Sequence, residues 1–239
     1  MTALLAQTKA ELVLTLRRGE SILLVLLIPL LLLGFFSTVD VLPKGGFRDP
    51  VDFLAPGILA LAVMSTGMVQ LAIGTAFERQ YGVLKRLGST PLSRAVLLSA
   101  KTLSVLVVEL LQLVLIGTVG LALGWEPHGS VPAVLALVAL GTAAFSGLGL
   151  LLGGTLRGLT TLAAANLAWF VLLLLGGVVF PLSQYGGAEG LLQLLPTAAL
   201  SDGLRQLLQH GHLVVRDVVT LVGWAVLSLV AAAKAFRWE

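Results

Sequence analysis

Long apolar stretches separated by short polar ones set the plan of this chain. Six of them, residues 21–39, 53–77, 97–123, 131–155, 159–180 and 214–233, are each long enough to cross a hydrocarbon core of roughly 30 Å as an α-helix. None alternates apolar and polar residues with a period of two, so a membrane β-barrel does not fit. Ahead of the first stretch, Leu5, Leu12 and Leu16 are mixed with Gln7, Lys9, Glu11, Arg17 and Arg18, which predicts an amphipathic helix on a membrane surface. The run from Ile22 to Phe36 contains Pro29 and is followed by Ser-Thr-Val-Asp rather than a small-x-small site, so it reads as a retained span and not a cleaved leader. The expected fold is therefore an all-α integral membrane protein. Residues 1–20 form an interfacial helix, and residues 21–239 form one domain of six transmembrane helices.

Two of the polar segments carry patterns of their own. In residues 78–94, which begin Glu78-Arg79-Gln80-Tyr81-Gly82, the residues Tyr81, Leu84 and Leu87 recur at helical spacing. They predict a short helix offering an apolar ridge to a partner, with Arg79, Lys85 and Arg86 largely off that ridge. Thr90-Pro91 ends it, because proline disfavours helix in the residue before it and suits the first turn of a new helix, which Thr90 is placed to cap. The second segment, residues 181–212, follows Phe180-Pro181-Leu182-Ser183 with a leucine-rich run over 191–195, then Pro196-Thr197 and Asp202-Gly203-Leu204-Arg205. The run over 191–195 is too short to cross and Pro196 breaks it, so a partly submerged hairpin is expected before the last span.

Composition sharpens the class. Hydrophobic residues make up 57% and charged residues 11% of the 239, with a mean hydropathy of +1.01, whereas an ordinary soluble domain is about a quarter charged. Lys and Arg test the topology, because they gather in cytoplasmic loops. With both termini inside, Lys9, Arg17, Arg18, Arg79, Lys85, Arg86, Arg94, Lys101, Arg157, Lys234 and Arg237 are cytoplasmic, and only Lys44, Arg48, Arg205 and Arg216 are external. The net charge of +3 thus belongs beside lipid headgroups and a cytoplasmic partner, and no basic run interleaved with aromatics suggests nucleic acid. Cysteine is absent, which excludes disulfides and thiolate metal sites.

The loop pattern, an acidic-basic pair, then Gly-x-Leu, a leucine three residues later and Thr-Pro-Leu-Ser-Arg, resembles the first cytoplasmic loop of ABC-2 type transporter permeases. The Phe-Pro-Leu-Ser, Pro-Thr and Asp-x-x-Arg elements resemble the same family's short re-entrant or interfacial helices on the external side. The chain departs from the family's usual Asn-Pro-Leu-Thr, having Leu195-Pro196-Thr197. Within that family the chain resembles bacterial drug-efflux permeases of the daunorubicin-resistance type. The resemblance implies a subunit of a bacterial plasma-membrane exporter, working as a homodimer with two copies of a separate ATPase that binds ATP and Mg. It also implies ATPase coupling through Glu78, Arg79, Tyr81, Gly82, Leu84, Lys85, Leu87, Thr90 and Pro91, and an external turn built on Phe180, Pro181, Pro196, Asp202 and Arg205.

No phosphate-binding Gly-x-x-x-x-Gly-Lys-Ser/Thr loop occurs, so the motor is expected on another chain, and no catalytic or metal-binding constellation stands out. Polar residues inside the spans remain as candidates for the substrate path. Glu109 lies eight residues beyond Lys101, about 12 Å along a helix, where a carboxylate costs roughly 2.5–3.5 kcal/mol and must face protein or water or be protonated. Thr66 and Gln70 are one turn apart, and Asn166, Trp169 and Phe170 place amide and aromatic surface on one span. Interhelical packing and hydrogen bonding is the competing role for all six. A small hydrophobic or amphipathic substrate suits the apolar spans. Lipid or polysaccharide export, a secondary transporter and a nontransporting scaffold are the alternatives.

Overall fold

The computed structural model describes residues 2–17, 19–39 and 49–236. Arg18, Lys44, Arg48 and Arg237 of the charge argument lie outside the described residues. Among the described residues there are helices and turns and no strand. The helices are α1 (Thr2–Arg17), α2 (Gly19–Thr38), α3 (Pro50–Met64), α4 (Leu71–Gln80), α5 (Val83–Gly88), α6 (Arg94–Ala122), α7 (Val131–Thr155), α8 (Gly158–Leu175), α9 (Glu189–Leu192), α10 (Pro196–His210) and α11 (Val215–Ala235). A π-helical turn, Ser65–Gln70, joins α3 to α4, so that Pro50–Gln80 is one continuous helical rod. Five described helical stretches are long and apolar enough to cross a membrane: this rod, α6, α7, α8 and α11. The apolar part of α2, Leu23–Thr38, is shorter.

The apolar stretches read from the sequence become helices, with one clear shift. The fifth was expected to run to residue 180, yet α8 stops at Leu175. Gly176 and Gly177 follow, and Gly177 takes φ +70°, a left-handed conformation that glycine adopts without strain and that ends a helix. Consecutive long helices run antiparallel, leaving two ends to the bundle. One holds α1, α5 and the α7–α8 turn; the other holds α10 and the segment leading to it.

In lipid the hydrophobic effect does not drive helices together, so close packing and hydrogen bonds must. The central helix is α7, packed between α11 on one side and the α3–α4 rod on the other. Gly149 and Gly153, one turn apart, face the rod. A Cβ at Gly149 would lie 2.6 Å from the Gly67 carbonyl oxygen, and one at Gly153 would lie 2.5 Å from that of Ala72. Both contacts are with backbone, so no side-chain rotation relieves them. The Gly-x-x-x-Gly pattern therefore serves packing within the chain. Gly149→Ala should push α7 off the rod and cost about 1–3 kcal/mol, measured as a lower melting temperature of the detergent-solubilised protein.

Candidate functional site

At the α5 end, the chain turns sharply twice. α4 ends at Gln80, Gly82 with φ +70° starts α5, and residues 89–93 lead into α6. Ser93 caps α6, its Oγ accepting from the Val96 N–H at 3.3 Å. Thr90 does not cap the new helix as its sequence position suggests; its hydroxyl donates to the Leu87 carbonyl at 2.6 Å and closes α5. The reason is spacing: a capping side chain must reach an N–H two or three residues ahead, and the first helical residue is Arg94.

The expected ridge is split by this geometry. Tyr81 is 67% exposed, Leu87 is half-buried, and Leu84 is fully buried among Leu71, Leu97, Leu98 and Phe236. Leu84 thus belongs to the protein's own core and offers nothing to a partner. The charged pair turns inward as well. Arg79 donates to the carbonyls of Gly154 and Leu156, satisfying the end of α7 where the helix leaves carbonyls unpaired. Glu78 reaches Lys101. Of the nine residues expected to couple to the ATPase, Tyr81, Lys85, Thr90 and Pro91 remain exposed.

Lys101 is the centre of this corner. It is 2% exposed, and its ammonium donates to Glu78 Oε2 at 2.6 Å and to Glu11 Oε2 at 2.9 Å. Gln7 donates to the other Glu11 oxygen at 2.9 Å. One buried ion triad therefore ties α1, α4 and α6 together on both flanks of the α5 turn. α1 turns Glu11 inward and exposes Leu5, Leu14 and Leu16, an orientation suited to lipid on its outer side. A cavity of about 40 Å³ adjoins the triad, and Thr66, Gln70, Thr75 and Ser104 contribute its polar wall.

Deeper in the bundle, the π-helical turn gathers further polar groups. Thr66 donates to Gln112 Oε1 at 3.2 Å, and Gln112 donates in turn to the Val25 carbonyl of α2 at 2.9 Å. The Trp169 indole donates to Ser65 Oγ at 2.8 Å, pinning α8 to the same turn. Glu109 is buried beside it, accepting from the Thr142 hydroxyl on α7, while its Oε1 has no hydrogen-bond partner among the described residues. A Cβ on Gly67 would come within 3.3 Å of that oxygen, so the absence of a side chain there makes room for the carboxyl group. π-Helical turns inside α-helices often occur where function needs irregular backbone.

The sequence profile of the family described as ABC-2 family transporter protein matches residues 46–234. The chain belongs to the ABC-2 transporter family. It is the membrane component of an ABC transporter, and members of the family associate with an ATP-binding subunit. No curated protein matches the chain.

At the opposite end of this ABC-2 subunit, the external-turn candidates form a packed layer. Pro181 leads into a 3-10 turn, Leu182–Ala188, and Pro196 sits in the first turn of α10, where its missing N–H costs nothing. One face of α10 is buried against α3, α7 and α11. Asp202 and Arg205 do not pair. Arg205 is buried with its guanidinium 4.1 Å from the Phe53 ring centroid, and donates to the carbonyls of Gly177 and Phe53 at 3.2 and 3.4 Å. Burial pushes the Arg205 guanidinium down to about 10, with Asp202 opposing the shift. Asp202 pairs instead with Arg216 at 3.1 Å, which also binds Asp217 at 2.9 Å and Gln193 at 2.6 Å.

The structure brings Thr66 and Gln70 to one cavity with the ion triad, and sets Glu109 and Trp169 around the same π-helical turn. It separates Asn166 and Phe170, which lie on the exposed face of α8; the Asn166 amide donates to its own helix at Leu162. Sequence reasoning missed Glu11, Lys101, Gln112 and Thr142. A signal was present for two of them: Lys101, Ser104, Val105, Val108, Gln112 and Ile116 recur at spacings of three and four, marking one buried face of α6 that carries polar residues.

Proposed function

We propose that this chain is the permease subunit of an ABC exporter that moves a hydrophobic or amphipathic small molecule, such as a drug of the daunorubicin class, out across a bacterial plasma membrane. Two copies form the pathway, each meeting one copy of a separate ATPase that carries ATP and Mg. Both termini and α5 are cytoplasmic, as the distribution of Lys and Arg favours. The observation that carries this reading is the exposed edge of Tyr81, Lys85, Thr90 and Pro91, mounted on a corner clamped by the buried Glu11–Lys101–Glu78 triad. A partner that pushes on this edge moves α4 and α6 together with α1 rather than bending a loose loop. The outward apolar faces of α2 and α8 are available to a second copy and to an apolar cargo.

The test is to purify the tagged full chain gently from its native membrane and identify its companions by mass spectrometry. A stoichiometric P-loop ATPase, stimulated severalfold by hydrophobic drugs, is the expected result. Recovery without an ATPase, under conditions that preserve known complexes, would favour a secondary transporter or a scaffold. Stimulation by lipids or polysaccharide alone would reassign the cargo.

A further inference from the structure

Glu109 is 2% exposed on α6, between the π-helical turn and α7. The void at its carboxyl group measures about 10 Å³, the lower limit for a single water. The walls of this void are Leu59, Ala62 and Val63 of α3, Gln112 and Leu113 of α6 and Val138 of α7, none of them charged. Gln112 is already engaged at both ends of its amide, with Thr66 and with the Val25 carbonyl. α2 carries no charged side chain from Leu23 to Thr38. The nearest charge along α6 towards the α5 corner is Lys101, about 12 Å away by helical rise, and Glu11 and Glu78 hold it. Among the described residues, therefore, no cation faces this carboxyl group, and the space beside it is dry.

A count of hydrogens decides the state of this group. Thr142 Oγ1 contacts both the Val138 carbonyl, at 2.8 Å, and Glu109 Oε2. A hydroxyl has one hydrogen and can donate to only one of them. Were Glu109 ionised, that hydrogen would be its only donor, and Oε1 would be a bare buried oxygen sharing the charge. A buried carboxylate with one hydrogen bond and no cation is the costly arrangement. As a carboxylic acid, Glu109 supplies the missing hydrogen itself. Its O–H donates to Thr142 Oγ1, the Thr142 hydroxyl donates to the Val138 carbonyl, and Oε1 is a neutral carbonyl oxygen. Both contacts are then hydrogen bonds and no charge is buried.

We propose that Glu109 is a proton-binding site, filled in the packed bundle, which exchanges its proton through the polar cavity beside Lys101 when the Thr66–Gln112 contact parts. Thr66 lines that cavity of about 40 Å³, which has room and polar partners for water. Its bond to Gln112 at 3.2 Å stands between the cavity and the dry void at Glu109, whose other walls are apolar. When the contact parts, Glu109 keeps the electron pair as a carboxylate and its proton passes to water in the cavity. The packed arrangement holds the proton and the parted, hydrated one releases it. Rising pH therefore favours parting of the π-helical turn from α6 and α7, and acid holds them together. One proton per chain is tied to movement of the α3–α4 rod, whichever cargo the transporter carries.

The experiment is infrared spectroscopy of the full chain in a neutral detergent at neutral pH. The parent should show the carbonyl stretch of a protonated carboxyl group, and the band should move when the glutamates carry heavy carbon at the side-chain carboxyl. Glu109→Gln should abolish it. Thr142→Val should shift it to higher frequency, because the acid loses its hydrogen-bond acceptor, and this shift assigns the band independently should Glu109→Gln fail to fold. In heavy water the band should shift slowly in the parent and about fivefold faster in Thr66→Ala, the expected effect of one lost hydrogen bond on a local opening. Thr118→Ala, on the exposed side of α6 where the hydroxyl bonds its own helix, should exchange like the parent. A parent spectrum without a glutamic acid band would overturn the proposal without recourse to any variant. So would a band that persists in folded Glu109→Gln, which would put the proton on another residue. Exchange in Thr66→Ala no faster than in the parent would remove the cavity as the route, and the proposed exchange path would fall.

Discussion

Lys101→Met should lower the melting temperature of the detergent-solubilised protein by on the order of 10 °C, the consequence of losing about 3–5 kcal/mol when a buried ion pair is broken from one side. The substitution leaves Glu11 and Glu78 facing one another across a buried site, with no ammonium between them. Glu11→Gln and Glu78→Gln should each be milder, because Lys101 keeps one carboxylate partner in either case. The triple variant Glu11→Gln/Lys101→Met/Glu78→Gln should recover most of the loss, since it removes the uncompensated charges as well as the pair. The four variants form a cycle that separates the cost of an orphaned charge from the worth of the network. A Lys101→Met protein that melts like the parent would show that the triad does not tie α1 to the α4–α6 corner. If that corner transmits force, Lys101→Met should also reduce substrate-stimulated ATP hydrolysis in the assembled transporter at temperatures where the protein is still folded.

The second large effect concerns two residues of the supposed ridge, one buried and one exposed. Leu84→Asp should yield little folded protein. Leu84 has no exposed surface, and the substitution both deletes a core side chain and buries a carboxylate; deletion alone typically costs about 2–5 kcal/mol. Tyr81→Asp should behave oppositely. Its side chain is largely exposed, so folding should change by less than about 0.5 kcal/mol, while capture of the ATPase falls tenfold or more if Tyr81 anchors the contact. Fluorescence-detected gel filtration reads the first quantity and quantitative co-purification the second. Normal folding of Leu84→Asp combined with misfolding of Tyr81→Asp would reverse the assignment of inside and outside in this turn.

These expectations differ from those the loop sequence alone would give. Read as a pattern, Tyr81, Leu84 and Leu87 form one apolar stripe that a partner could cover. The stripe argument assumes an uninterrupted helix, but Gly82 at φ +70° separates Tyr81 from α5 and turns it outward. Similarly, Glu78 and Arg79 look like surface charges because they follow an apolar stretch. Each has a specific buried or half-buried partner, Lys101 for one and the end of α7 for the other. Asp202 and Arg205 look like a helical i, i+3 ion pair and are not, because Arg205 points into the Phe53 and Gly177 side of α10 while Asp202 faces Arg216 on α11.

The sequence by itself determined the class of this protein and where its helices lie. A bilayer forces every backbone polar group to be satisfied within a span, so long apolar stretches can only be helices, and their limits follow from proline, glycine and charge. It also determined the family, through short patterns whose order along the chain is unchanged by folding. Only the tertiary structure decided which polar residues meet. Glu11 and Lys101 are ninety residues apart, and Glu109 and Thr142 are thirty-three. Their pairing depends on the rotation of each helix about its axis, which close approaches such as Gly149 against Gly67 fix and which no local pattern encodes.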